Sequence, residues 1–300
     1  MINKTKNFSK ASSKALILSL LVTITLMVGC GGGSSSGTVA DVITSSTLSS
    51  TTASPPLIAP GAYVAIIKEK DDRVREWVSM LLPTTQGSGT ILNFFGLLFN
   101  YESIEPDLFS GSGTFAATTN NATLTRVFIY PFISAVVRNG TGTIRNLGDG
   151  HVSADLTFPA NGVESGRDIS VVARSPNNYK NNSPATLSSV QGTWQGIWSY
   201  GVGSSKDFTL NISGQGELSS SMSFQQDCKL TQGSLLPNFD GTNLFTFSVT
   251  IPTATRCSLK SQALNGAAFV TSSPVAGKSQ RLYLIGVTTD GRGISYRADR

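Results

Sequence analysis

Histidine is nearly missing from this chain, one in 300 residues, and cysteine is scarce, with three. The one histidine, His151, directly follows Gly148-Asp149-Gly150, residues that tolerate positive φ and read as a turn. A Ser-His-Asp or Cys-His arrangement needs a buried, oriented imidazole, which a hairpin edge does not provide. Zinc needs three or four ligands from Cys, His and carboxylate, and one histidine with two or three cysteines falls short of the usual sets. The one Gly-x-Ser-x-Gly, Gly33 to Gly37, falls in a Gly/Ser tract rather than between a strand and a helix, where a nucleophile elbow sits. Gly111-Ser112-Gly113 and Gly140-Thr141-Gly142 lack the following helix and lysine of a phosphate loop. The expectation is therefore no catalytic residue, no metal and no cofactor, and a protein that is not an enzyme.

Charge is sparse as well. Asp, Glu, Lys and Arg make up 14% of the chain, well under the ~25% of ordinary soluble domains. The formal net charge of +5 suggests an acidic partner at first sight. Its source is the first thirty residues, where Lys4, Lys6, Lys10 and Lys14 stand without an Asp or Glu. Setting those four aside leaves 19 basic against 18 acidic residues, a balance of +1. That near-neutral remainder gives no reason to expect nucleic acid.

After the lysines comes ALILSLLVTITLMV, Ala15 to Val28, then Gly29 and Cys30. A basic segment leading into a short apolar run is the layout of a secretory signal peptide. At 14 residues before a Gly/Ser tract, the run is short of the ~20 that a spanning helix needs. Met27-Val28-Gly29-Cys30 resembles the lipobox of bacterial lipoprotein precursors, with Met27 where that family prefers Leu. The resemblance implies cleavage before Cys30, a mature chain that begins there, and an acylated Cys30 carrying diacylglycerol and palmitate. Gly31 stands where an Asp would imply inner-membrane retention, so the expected location is the outer membrane, lipid-anchored, facing either the periplasm or the cell surface. Lipidation of Cys30 also accounts for the odd cysteine. Cys228 and Cys257 are left as a pair, and in an oxidising compartment the expectation is a structural disulfide.

Residues 31–60, GGGSSSGTVADVITSSTLSSTTASPPLIAP, have one charge and no aliphatic period. They read as a disordered tether averaging ~30 Å end to end and limited to ~100 Å.

Beyond Pro60 the dominant period is two, that of half-buried strands. Phe208, Leu210 and Ile212 alternate with polar residues, as do Phe245, Phe247, Val249 and Ile251, and Val152, Ala154, Leu156 and Phe158. Gly148-Asp149-Gly150, Asp240-Gly241-Thr242-Asn243 and Asp290-Gly291-Arg292-Gly293 supply hairpin turns between such runs. Apart from a short turn at Ala185 to Val190, no stretch has helical spacing, and the fold class is all-β. GRDISVVAR from Gly166 echoes GRGISYRADR from Gly291, and Gly61-Ala62-Tyr63 corresponds to Gly192-Thr193-Trp194, at spacings of 125 and 131 residues. These echoes imply a duplicated unit: signal peptide 1–29, tether 30–60, β domain 61–176, linker 177–190, β domain 191–300. Each domain closes as a small antiparallel meander barrel or stacks as a sandwich.

GTWQGIW, FTLNISGQGELSS, Cys228, GTNLF, Cys257, RLYLIG and the terminal Arg300 are similar to a recurrent group of proteobacterial lipoproteins. That likeness implies fold and envelope location and carries no activity. Gly192-Thr193-Trp194 also resembles the Gly-x-Trp of lipocalins and related calycin barrels. In those, a Trp on the first strand plugs one barrel end beneath a late Arg, and Arg297 and Arg300 are the candidates here.

Trp194, Gly196 and Trp198 share one face of a strand, which makes Trp194 and Trp198 either a stacking platform for a ligand or core. Phe94, Phe95, Leu97, Leu98 and Phe99 alternate poorly and read as a buried strand, or as an interaction patch if exposed. Glu69, Asp71, Asp72 and Glu76 in KEKDDRVRE read as a solvated hairpin tip of mixed charge. The leading functional expectation is a non-enzymatic, lipid-anchored envelope lipoprotein whose domains bind an envelope protein or polysaccharide. The alternative is a calycin-like carrier of a small apolar ligand in the second domain.

Overall fold

Side chains of a strand point alternately to its two faces, and that alternation organises the whole fold. The computed structural model of the chain describes residues 60–68, 74–83, 91–100, 106–115, 121–131, 136–162, 165–175, 184–200, 204–221, 230, 233–238, 242, 244–252, 259 and 261–300. Two tandem eight-stranded antiparallel barrels account for all sixteen strands described. Of barrel and sandwich, the chain adopts the barrel.

The first barrel comprises β1 (Gly61–Lys68), β2 (Val74–Pro83), β3 (Ile91–Asn100), β4 (Asp107–Phe115), β5 (Asn121–Pro131), β6 (Arg138–Gly148), β7 (His151–Phe158) and β8 (Arg167–Arg174). Each strand pairs with the next, and β8 returns to β1 through a single register pair, Val64 with Arg174. One helical turn, α1 (Leu187–Val190), leads into the second barrel. That barrel runs β9 (Gly192–Tyr200), β10 (Ser204–Ile212), β11 (Leu218–Ser221), β12 (Gly233–Pro237), β13 (Phe245–Thr250), β14 (Ala263–Ser272), β15 (Gln280–Val287) and β16 (Gly293–Asp299). Here the first and last strands zip together fully, from Ile294 opposite Tyr200 to Asp299 opposite Gln195. The thin seam lies instead at β11 and β12, joined by the bridge Glu217 to Ser234.

The two sequence spacings of the internal repeat fall on equivalent places. Val64 faces Arg174 where the first barrel closes, and Gln195 faces Asp299 in the second. Moving β1 on by 131 residues and β8 by 125 converts one pair into the other. Strand order and closing register are therefore the same in both halves. The Gly148-Asp149-Gly150 turn has positive φ at all three residues, Asp149 included at 49°, and links β6 to β7 as its composition implies. The Asp240 to Asn243 turn falls mostly outside the described residues.

Each barrel is filled. In the first, Trp77 packs 6.2 Å from Phe94 and 5.2 Å from Phe109 between ring centres. Trp198 in the second stacks on Phe208 at 4.6 Å and 12°, with Tyr296 edge-on to Phe208. Offset and edge contacts of this kind add to the burial of the rings themselves. The Tyr296 hydroxyl donates to the carbonyls of Trp194 (2.8 Å) and Phe208 (3.2 Å), and burial raises its pKa well above the ordinary tyrosine range. Gly196, between the two tryptophans on β9, is required by the neighbouring strand: a Cβ there would stand 2.5 Å from the Cα of Ala298 and against the Arg297 carbonyl. The space is taken by β16 backbone rather than left open between the rings.

Trp198→Ala is expected to cost about 3–5 kcal/mol in denaturant unfolding, the range for deleting a buried aromatic. Trp198→Phe should cost clearly less, because the Trp198 indole N–H has no acceptor among the described residues and Phe removes an unsatisfied donor. An unchanged unfolding midpoint for Trp198→Ala would contradict a packed interior.

Candidate functional site

β2 and β3 are apolar on both faces. Phe94 and Leu98 point into the first barrel, while Phe95, Leu97 and Phe99 point out of it, and all are buried. The same split on β2 sends Trp77 and Leu81 inward and Val78, Met80 and Leu82 outward. The outward set packs with Leu108 and Tyr130 against Leu244, Ala267, Phe269, Tyr283 and Ile285 of the second barrel in one cluster. A strand covered on both sides has no polar face to alternate, which is why FFGLLF has poor alternation. The β15–β16 turn completes the contact. Gly291, at φ +86°, lies so close to the first barrel that a Cβ would fall 2.6 Å from the Cβ of Phe128.

Glu76 overturns its reading as part of a solvated hairpin tip. The residues of that tip from Glu69 to Asp72 lie outside the described set, but Glu76 is on β2, 5% exposed, on the outward face that meets the second barrel. Its Oε1 accepts a hydrogen bond from the Tyr283 hydroxyl at 2.5 Å, and its Oε2 accepts one from Arg297 Nη1 at 3.2 Å. Arg281 Nη1 stands 3.9 Å from Oε1. Arg281 in turn binds Asp299 with two parallel bonds, of 2.8 and 3.0 Å, the fork geometry in which Arg holds carboxylates best. Two carboxylates and two guanidiniums thus balance at the junction. Arg297 also lies 4.4 Å above the Phe99 ring, a cation–π contact across the barrels.

These neighbours set the ionisation of the junction. Burial, then the Glu76 charge, pushes the Tyr283 phenol far above the ordinary tyrosine range, so it is a hydrogen-bond donor at neutral pH. Burial works against the Arg281 cation, and the Asp299 and Tyr283 hydrogen bonds outweigh it and raise its pKa.

Beside this junction opens a cleft of about 680 Å³ with Glu76 and Tyr283 on its wall. Its first-barrel side is built by register. Val64 faces Arg174 and Arg174 faces His151, a row across β1, β8 and β7. In the next row Val172 faces Ser153. Ile66 and Val172 are apolar yet 60% and 58% exposed. Thr271, Ser272 and Pro274 line the second-barrel side. His151 is half-buried, with Nδ1 3.0 Å from the Asp149 carbonyl, so Nδ1–H donates locally.

The tryptophans named from sequence occupy the opposite kind of place. Trp194 and Trp198 are both fully buried in the second barrel. Arg300 lies 4.2 Å over the Trp194 ring and donates to the carbonyls of Gln191 (2.5 Å) and Ser189 (2.9 Å). The Trp194 indole N–H donates to the Val190 carbonyl (2.7 Å), which ties α1 to the barrel end. Of the two candidate arginines, Arg300 therefore covers Trp194, and Arg297 joins the barrels instead. Cys30, Cys228 and Cys257 lie outside the described residues. Among the described residues no cluster of three or more His, Cys, Asp or Glu could hold a metal ion.

Sequence reasoning did not find Glu76, Arg174, Arg281 or Tyr283. Glu76 had one usable signal: within β2 it directly precedes the largely apolar run Trp77 to Leu82. Arg174 had none, since its position beside His151 depends on strand register.

Glu76→Ala is expected to destabilise the protein by about 3–5 kcal/mol, because it leaves buried guanidiniums without their counter-charge. In the double variant with Arg297→Met the two losses should be clearly less than additive. Additive losses in denaturant titrations would contradict a coupled pair.

Comparison with models of protein families, with curated proteins and with solved structures finds no match to this chain.

Proposed function

We propose that the chain is a lipid-anchored protein of the bacterial cell envelope, held to the outer membrane through Cys30, and that its paired barrels form a non-enzymatic binding module working through the cleft between them. The anchor rests on sequence: a basic leader, a 14-residue apolar run and Met27-Val28-Gly29-Cys30, then a Gly/Ser-rich tether. A Cys228–Cys257 disulfide belongs to the same reading, since the envelope is oxidising.

One observation favours external binding: the interiors of both barrels are packed with side chains, while the space lined by residues of both barrels lies between them. A carrier with an internal apolar cavity would need room where Trp198, Phe208 and Tyr296 stack. The volume of the cleft is in the ordinary range of small-molecule sites, roughly 300–1,000 Å³. Its exposed apolar side chains beside polar ones are the usual composition of a binding surface. The carboxylate on its wall is held by two arginines and a phenol, an arrangement suited to rigidity rather than to proton transfer.

Metabolic labelling with an alkyne analogue of palmitate in a Gram-negative host tests the anchor. The wild-type chain should incorporate label and fractionate with the outer membrane, and Cys30→Ser should do neither. Membrane retention of unlabelled Cys30→Ser would overturn the anchor.

A further inference from the structure

Within that reading of the cleft, on which the inference rests, the arrangement of charge identifies a class of ligand. We propose that the cleft binds small amphiphilic anions, a carboxylate or phosphate group joined to a short alkyl portion, with Arg174 as the residue that holds the anionic group.

Arg174 is the charge left over at this site. Glu76, the carboxylate on the cleft wall, is satisfied by Tyr283 and Arg297, with Arg281 next to it. Arg281 is itself taken up by Asp299. Arg174 is exposed and has no ion-pair partner among the described residues. A guanidinium presents its donors in a planar fork that fits two oxygens of a carboxylate or phosphate. His151 stands directly across from it, with its Nδ1–H given to the Asp149 carbonyl, so its ring is a neighbour that reports on whatever Arg174 holds. Hydroxyls of Thr271 and Ser272 stand on the opposite wall. Asp155, on the same face of β7, is two rows beyond Arg174, where it accepts a hydrogen bond from Ser170.

The apolar part of the ligand has its own place. Ile66 and Val172 are more than half exposed although the outward side chains of most first-barrel strands are either polar or buried against the second barrel. Both line the cleft next to the Arg174 row. Covering two exposed aliphatic side chains with an alkyl chain removes apolar surface from water on both partners. Neither half of the site suffices for a ligand that lacks the other half: the guanidinium alone is an exposed charge of little affinity, and two aliphatic side chains alone make a small patch.

The chain contains one histidine, so its imidazole resonance reports on this cleft and nowhere else. The test uses the full lipidated chain in phosphatidylcholine nanodiscs, with ¹³C-labelled histidine. It is titrated with hexanoate, hexyl phosphate, hexanol, hexyltrimethylammonium, acetate and inorganic phosphate. The expected result is a saturable His151 shift with hexanoate and hexyl phosphate, at least tenfold weaker binding of acetate and inorganic phosphate, and no saturation with hexanol or hexyltrimethylammonium. Arg174→Gln should weaken both anions at least tenfold, Arg174→Lys should recover part of that loss, and Val172→Ser should reduce the advantage of the hexyl chain. Both positions are exposed, so unfolding midpoints should stay unchanged and exclude misfolding as the cause. If hexanol binds as well as hexanoate, or if Arg174→Gln binds normally, the anion assignment is wrong and the cleft survives as a binding site. A His151 resonance indifferent to every probe removes the anion assignment and the reading of the cleft together.

Discussion

Everything distinctive in this molecule depends on two barrels burying their outer faces against each other. A small barrel normally presents a polar outside and needs only its own interior. Here β2 and β3 commit both faces to burial, one on Trp77 and its neighbours, the other on Phe269, Tyr283 and Ile285. Such an outward row of Phe, Leu and Met on an isolated barrel would be a large apolar patch of the kind that drives aggregation. Docking is therefore a condition of solubility for the first barrel, not an ornament on two finished domains. The Glu76 junction gives the contact its geometry: apolar surfaces slide at little cost, whereas a carboxylate shared by Tyr283 and Arg297 is satisfied in one position only.

The docking is also asymmetric. Although the two halves share strand order and closing register, the first barrel contributes mainly β2 to β4 and the second mainly β14 and β15, which are not equivalent strands. A head-to-tail contact between equivalent units can in principle repeat without end. The equivalent strands do not repeat the contact, because their outer faces carry polar residues: Asn139, Thr141 and Arg145 on β6 of the first barrel, and Thr209, Asn211 and Ser219 on β10 and β11 of the second. The asymmetry leaves the cleft behind, where the edge of the docked face parts beside Ile66, Val172 and Arg174.

The parts of this architecture that were legible in the sequence are those governed by neighbours in the chain. Phe208, Leu210 and Ile212 announce a strand and its inner face, and the Gly148 to Gly150 and Asp290 to Gly293 runs announce turns. The echo of GRDIS in GRGIS marks the eighth strand of each barrel. Closure into barrels was not legible, because it depends on pairs such as Ile294 with Tyr200 that no local pattern encodes. The Glu76 to Tyr283 bond joins residues 207 apart, and a carboxylate within a mixed-charge run resembles any solvated turn until the partner strand is known. The poor alternation of FFGLLF was the visible trace of docking, correctly a sign of burial but silent about what does the burying. Trp194 and Trp198 show the limit from the other side: sequence places both on one face of β9, and only the fold reveals Arg300 above the first and Phe208 against the second.

Mutual burial predicts that the two barrels unfold as one cooperative body. The chain has three tryptophans, Trp77 inside the first barrel and Trp194 and Trp198 inside the second. Replacing them with 5-fluorotryptophan gives separate ¹⁹F signals for the two interiors during one urea titration. Shared outer faces predict that all three native signals are lost at the same midpoint and with the same slope. Loss of the Trp77 signal at one midpoint and of the Trp194 and Trp198 signals at another, with native-like dispersion in the surviving set, would contradict it.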